Sequence, residues 1–242
     1  VTAPVFLAPA APREAGGQYV LDGAEGRHAA VAQRLQVGER LDIVDGQGTR
    51  LRAVVTELRG AELVFTVESV VREPASPLRL TLVQALAKAD RDEQAVEAAV
   101  ECGVDAVIPW QADRSIVQWR GERAHRARAR WESRVLAATK QARRSWLPPV
   151  GGLVTSRQLA ARGPSIVVLD AAATMALADV ALPPSGELLV AVGPEGGVSE
   201  AELAALQAAG AQAARLGPHV MRTSTAGPVA IALLSQRLGR WN

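Results

Sequence analysis

The chain has 242 residues, 48% of them hydrophobic and 21% charged, with a formal net charge of +2. That size suits one large domain or two modest ones, and that balance excludes a globally disordered chain. A single cysteine, Cys102, excludes an internal disulfide framework.

In chain order, the first stretch reads as strand-rich. A short helix is expected over 28–35, then strands over 40–45, 50–58 and 62–70, broken by the Gly46-Gln47-Gly48 turn and by Gly60. Several short strands and one small helix predict a compact β-barrel-like domain over 1–72. Glu73-Pro74-Ala75-Ser76-Pro77 reads as a linker, because proline restricts itself and its predecessor. The rhythm then changes. Strands are expected at 80–86, 104–108, 165–169, 187–192 and 213–216, and helices at 92–102, 121–143, 199–209 and 225–238. The apolar runs 165–169 and 187–192 suit buried parallel strands. Ser199 followed by Glu202 is a capping box, and Pro228 is expected in the first turn of the last helix, where proline is tolerated. Alternating strands and helices predict an α/β domain over 78–242.

No run of about 18 uncharged apolar residues reads as a membrane span. The apolar start over 1–11 lacks a basic leader and carries Pro4 and Pro9. His28, His125 and His219 lie far apart, so no metal is expected. The expectation is a cytoplasmic protein with neither membrane nor metal among its partners.

Three loops at strand ends are candidates to wall one ligand, since open α/β sheets bind ligands beyond the carboxyl ends of their strands. The first, Gly193-Pro194-Glu195-Gly196-Gly197, leads from a strand into the helix capped by Ser199. Its glycines allow close backbone approach. It matches neither the phosphate loop nor the dinucleotide fingerprint. The second runs from Leu216, Gly217 and Pro218 through His219, Val220, Met221, Arg222, Thr223 and Ser224 to Thr225. The third starts at Leu169-Asp170.

Between 120 and 144 the chain carries nine Arg or Lys residues against two Glu, an excess of seven positive charges. Such a patch can neutralise phosphates, and the interspersed Trp119, Trp131 and Trp146 can stack on bases. Arg126, Arg130, Arg134, Arg143 and Arg144 are the RNA-binding candidates there. Arg27 and Arg34 are candidates near the start.

These pieces resemble the RsmE family of 16S ribosomal RNA uridine N3-methyltransferases, in the SPOUT superfamily of knotted methyltransferases. The matching motifs run from His28 to Gly38, then Asp45-Gly-Gln-Gly48, Lys88-Ala-Asp-Arg91, Glu101-Cys-Gly-Val104, Ile108-Pro-Trp110 with Arg114-Ser115, and Gln141-Ala-Arg-Arg144. Gly193-Pro-Glu-Gly-Gly197, Leu216-Gly-Pro218 and Met221-Arg222-Thr223 complete the series. The resemblance implies a PUA-like RNA-binding β-barrel and a C-terminal α/β domain with a deep trefoil knot. It implies S-adenosyl-L-methionine as cofactor, held by the three loops, and a homodimer with its active site near the subunit interface. The implied partner is 16S rRNA in the 30S subunit and the implied product 3-methyluridine. Lys88, Arg91 and Arg114 join the RNA-contacting candidates. Arg222 is the candidate for electrostatic catalysis, and Glu195 for proton removal or loop organisation. Departures from the family pattern stand at Ala98, Lys140, Val198 and Ser224. Other readings are a SPOUT enzyme acting on transfer or 23S ribosomal RNA, a noncatalytic RNA-binding assembly protein, and a metabolic nucleotide enzyme.

Overall fold

The computed structural model describes residues 3–9 and 14–241. Of the apolar start, residues 1, 2, 10 and 11 lie outside the described residues. The chain divides into two compact units. One holds the described residues through Ala75 together with Thr139–Leu147; the other holds Ser76–Ala138 and the described residues from Pro148 onward.

The first unit is a curled five-stranded sheet. Its elements are β1 (Val5–Leu7), β2 (Gln18–Leu21), α1 (Gly23–Arg27), β3 (Arg40–Val44), β4 (Thr49–Arg59) and β5 (Glu62–Arg72). The strand order is β1-β3-β4-β5-β2, with β1 parallel to β3 and the other pairs antiparallel. Alternation drives the inner face: Leu51, Ala53 and Val55 of β4 are buried, as are Leu63, Phe65 and Val67 of β5. The β4–β5 register shifts twice, at Arg52/Ala53 and Val55/Glu57. Such irregularities bend strands and sharpen twist, which suits a half-barrel. The helix expected at 28–35 begins earlier: α1 starts at Gly23 and continues into one π-helical turn, His28–Ala32.

The Asp45–Thr49 turn shows why its sequence is so specific. Asp45 Oδ1 accepts from the N–H groups of Gln47 at 2.7 Å and Thr49 at 2.9 Å. Gly48 has φ +93°, and a β-carbon there would stand 2.6 Å from the Glu73 carbonyl and from the Trp146 ring. Residues 139–147, the end of the basic helix and the segment after it, pack as part of this unit. The departure at Lys140 has a local partner. Its ammonium lies 2.7 and 2.9 Å from the two Glu25 carboxylate oxygens and 5.8 Å from the centre of the Phe6 ring.

The second unit is α/β. It contains β6 (Leu78–Ala85), α2 (Arg91–Glu101), β7 (Ala106–Gln111), α3 (Glu122–Gln141, whose last three residues belong to the first unit), β8 (Val154–Thr155) and α4 (Ser156–Ala160). There follow β9 (Ile166–Leu169), β10 (Gly186–Val192), α5 (Glu200–Ala208), β11 (Gln212–Ala214) and α6 (Thr223–Arg237). Six parallel strands run in the order β11-β9-β10-β6-β7-β8. The all-parallel arrangement explains the continuous apolar runs: Ile166, Val167, Val168 and the stretch Leu188–Val192 are buried.

Pro228 corrects one expectation. Helix α6 begins at Thr223, not 225, so Pro228 lies inside the helix, beyond the first turn. It offers no N–H to the Ser224 carbonyl one turn back.

Helix α2 brings a buried carboxyl close to the strand ends. Burial pushes Asp92 up to about 6 from 3.8, against N–H donors from Ala87 and Glu93. The native state therefore binds this proton more tightly than the unfolded chain. Asp92 costs nothing below about pH 4, and the folded state loses stability as pH rises from about 4 to about 6. At roughly 1.4 kcal/mol per pH unit, the loss is roughly 2–3 kcal/mol. In urea unfolding at several pH values, Asp92→Asn is expected to gain stability relative to wild type across that window. A pH-independent difference would contradict the assignment.

Candidate active site

Strands β6 and β10 are neighbours at the centre of the sheet, with β7 and β8 on one side and β9 and β11 on the other. A sheet of this kind opens a crevice at the carboxyl ends of its strands. Here the ends of β9, β10 and β11 surround a cleft of about 520 Å³. The loops expected to share a ligand do meet. Leu169 and Asp170, Gly193, Pro194, Glu195 and Gly197, and Leu216, Gly217, Val220, Met221, Arg222 and Thr223 all line the cleft. Gly196, Pro218 and Thr225 do not, although they belong to the same loops.

The glycine-rich loop is a tight turn closed by the Gly197 N–H donating to the Pro194 carbonyl at 2.8 Å, with Gly197 at φ +72°. A β-carbon on Gly193 would lie 2.9 Å from Val198 Cγ2 and 3.0 Å from Val198 N, so the turn closes on glycine alone. Three separate chain segments hold it. Glu195 Oε1 accepts from the Lys88 N–H at 3.0 Å and from the Arg91 guanidinium at 3.5 Å. The Gly196 carbonyl accepts from Arg114 at 2.8 Å. The Gly193 carbonyl accepts from the Thr223 hydroxyl at 2.8 Å. The Glu195 carboxylate thus acts on the loop itself, and Ala89 and Asp90 beside it hold left-handed φ of +55° and +56°.

Glu202 anchors the other end of the loop. Both arms of its capping box with Ser199 are present. The nearly buried carboxylate also accepts from the Ser156 hydroxyl at 2.5 Å and the Asp113 N–H at 2.8 Å. Burial alone would raise its pKa. The donors from Ser156, Ser199 and Asp113 outweigh that and hold it below the usual range. The capping box was legible in sequence; the reach to Ser156 and Asp113 was not.

On the second wall, the Arg222 carbonyl accepts from the N–H groups of Thr225 and Ala226 and starts α6. Its exposed guanidinium makes no ion pair among the described residues. The third wall is set by Asp170, whose side chain accepts from the Ala172 N–H at 3.0 Å. Val192, Val198 and Ala226, which the sequence did not assign to the cleft, also line it, as do Ala171 of the third loop and His219 of the second. Ala226 was within reach of helical periodicity, one turn on from Arg222.

The basic candidates scatter. Only Arg91 lines the cleft. Lys88 meets the glycine loop through its backbone and Arg114 through its guanidinium. Arg130 and Arg134 bind Glu93 of α2 at 2.9 and 3.4 Å, and Arg134 also reaches Glu97 at 3.5 Å. Arg126, on the same helix, is exposed and has no acidic partner among the described residues. In the first unit lie Arg27, Arg34 at φ +56°, Arg143 at φ +55° and Arg144. Among the described residues no cluster of three or more His, Cys, Asp or Glu is placed to hold a metal, and no helix is long and apolar enough to cross a membrane.

Residues 74–235 match the RNA methyltransferase domain family. The parallel sheet, the glycine-rich cleft at its carboxyl edge and this match define an RNA methyltransferase of the SPOUT class. The Mycobacterium tuberculosis protein "Ribosomal RNA small subunit methyltransferase E" is 41% identical over 238 residues, covering 95% of this chain and 90% of its own. The Bacillus subtilis protein of the same name is 25% identical over 228 residues, covering 90% and 89%. The crystal structure of ribosomal RNA small subunit methyltransferase E from Neisseria gonorrhoeae bound to S-adenosyl methionine superimposes with TM-score 0.87, at 30% identity and 98% coverage of each chain. The chain belongs to the ribosomal RNA small subunit methyltransferase E family, RsmE.

Proposed function

We propose that this chain methylates uridine N3 in 16S rRNA of the 30S subunit, using S-adenosyl-L-methionine and giving 3-methyluridine. The observation that carries this reading is the cleft at the carboxyl edge of the parallel sheet, walled by three loops of which two are rich in backbone donors and acceptors. Its volume falls in the range of about 300–1,000 Å³ usual for small-molecule sites. Leu216, Val220, Met221 and Ala226 supply apolar surface for a purine ring. The backbone of 193–197 and 216–223 and the Asp170 carboxylate supply polar contacts. Bound there, the cofactor supplies an electrophilic methyl group on a sulfonium.

The protein's own task is then to orient the uracil and stabilise its anion as the N3 proton leaves to solvent water. Arg222 carries that stabilising charge, since its guanidinium is uncommitted at the cleft wall. Glu195 organises the loop, because its carboxylate already serves Lys88 and Arg91. Isothermal titration with S-adenosyl-L-methionine tests the cofactor assignment. One saturable site per chain is the expected result. Firm RNA binding without cofactor binding would point instead to a noncatalytic assembly protein.

Arg126 is proposed as a phosphate contact on α3, with Arg130 and Arg134 partly neutralised by Glu93. Arg126→Ala is expected to flatten the salt dependence of 30S binding by about one unit of log–log slope, and Arg130→Ala by less. Equal slopes for both variants would reject this ranking. We also propose a cytoplasmic homodimer whose C-terminal segment is threaded as a trefoil knot. The resemblance to the RsmE family is what supports both. Light scattering at twice the monomer mass is the expected result.

A further inference from the structure

The two main walls of the cleft are tied together from beneath by a side chain that no motif singles out. Gln84 sits near the carboxyl end of β6, in register with Val192 of β10, and is fully buried. Its Nε2 donates to the Thr223 hydroxyl oxygen at 2.8 Å and to the Ala85 carbonyl at 3.2 Å. The Thr223 oxygen therefore accepts from Gln84, and its own proton goes to the Gly193 carbonyl at 2.8 Å. The direction is fixed: amide N–H to hydroxyl, hydroxyl to carbonyl. Turning the amide over would set Oε1 against the Ala85 carbonyl, acceptor against acceptor.

That orientation carries a cost. Gln84 Oε1 is buried and has no hydrogen-bond partner among the described residues. Its strand neighbours Leu82, Val83 and Ala85 are buried apolar residues. Packing alone favours an apolar side chain here. The opposite face is also specialised. A β-carbon on Gly227 would stand 2.9 Å from Leu82 Cδ1 and 3.4 Å from Gln84 Oε1, so glycine lets α6 settle close enough for Thr223 to reach.

We propose that Gln84 is a positioning residue for cofactor binding. Through Thr223 it locks the end of β10 to the start of α6 and so sets the gap between the 193–197 and 216–223 loops. The inference rests on the reading of this cleft as the S-adenosyl-L-methionine site.

The test is calorimetric titration of S-adenosyl-L-methionine, with thermal unfolding, on wild type, Gln84→Met, Thr223→Ser, Thr223→Val and the double variant Gln84→Met/Thr223→Val. Methionine keeps the length and unbranched shape of glutamine. The expected result is about a tenfold or greater loss of affinity in Gln84→Met with the unfolding midpoint within about 3 °C of wild type. Thr223→Ser, which keeps the hydroxyl, is expected to bind nearly as wild type does. The double variant is expected to bind no more weakly than Thr223→Val, since both changes cut one relay. Wild-type affinity in Gln84→Met overturns the proposal. So does a loss that appears only with a larger fall in midpoint and is shared by Thr223→Ser, which marks a scaffold role. Absence of binding by wild type is a separate outcome: it removes the cofactor reading of the cleft, and the relay's role with it.

Discussion

Replacing Arg222 with alanine is expected to slow methyl transfer to 30S subunits by about 100- to 1,000-fold while leaving S-adenosyl-L-methionine affinity within about threefold of wild type. Methylation at uracil N3 requires the proton there to leave. Its departure leaves negative charge on the imide, and a fixed cation at that point acts mainly on the transition state. Arg222 lines the cleft with an exposed guanidinium, while its backbone is already held as the start of α6. The substitution therefore removes charge without dismantling the helix start, because the carbonyl that accepts from Thr225 and Ala226 remains. Lysine at this position is expected to restore part of the rate, as it keeps the charge but not the planar fork of donors. Single-turnover rates and titration on the same preparations check this. A variant that loses cofactor affinity and rate in equal measure would assign Arg222 to cofactor binding instead.

The second large effect is expected at Gly193. Gly193→Val would drive a branched side chain into Val198, where a β-carbon alone already meets Cγ2 at 2.9 Å and the backbone nitrogen at 3.0 Å. The loop must then open. Opening it pulls the Gly193 carbonyl from Thr223 and moves the carbonyl of Gly196 relative to Arg114. Cofactor affinity is expected to fall by at least about 100-fold, since a displaced wall costs several contacts at once. The sheet beneath is expected to survive, because its core comes from β6, β7, β9 and β10. Unchanged affinity in a folded Gly193→Val protein would show that the cofactor does not depend on this loop.

Much of this was legible in the residues, and for physical reasons. Parallel strands buried on both faces leave uninterrupted apolar runs, so β9 and β10 could be read directly. Ser199 and Glu202 announced the start of α5 because capping needs those side chains at that spacing. The glycine loops stood out because few other residues tolerate such closure. By contrast, β1, β2 and β8 are two to four residues long and too short to show a period. Residues 139–143 read as the tail of the basic helix, yet the segment 139–147 belongs to the first unit, where Trp146 donates to the Glu73 carbonyl and the Leu147 N–H to that of Gly46. Such long-range partners leave no local pattern. The partners of the basic run were hidden in another way. Composition counts charges but not their partners, and Glu93 binds two of those arginines. Gln84 was invisible for a similar reason: one polar residue in an apolar strand acquires meaning only when Thr223, 139 positions later, stands against it.

The most direct test of the account is to incubate the purified protein with S-adenosyl-L-methionine and 30S subunits from a strain lacking this modification, then digest the RNA and identify the methylated nucleoside by mass spectrometry. The account predicts 3-methyluridine in 16S rRNA, formed by wild type and nearly absent with the Arg222→Ala protein. A ribose-methylated nucleoside, a product in transfer or 23S ribosomal RNA, or no product from a protein that binds the cofactor would contradict it.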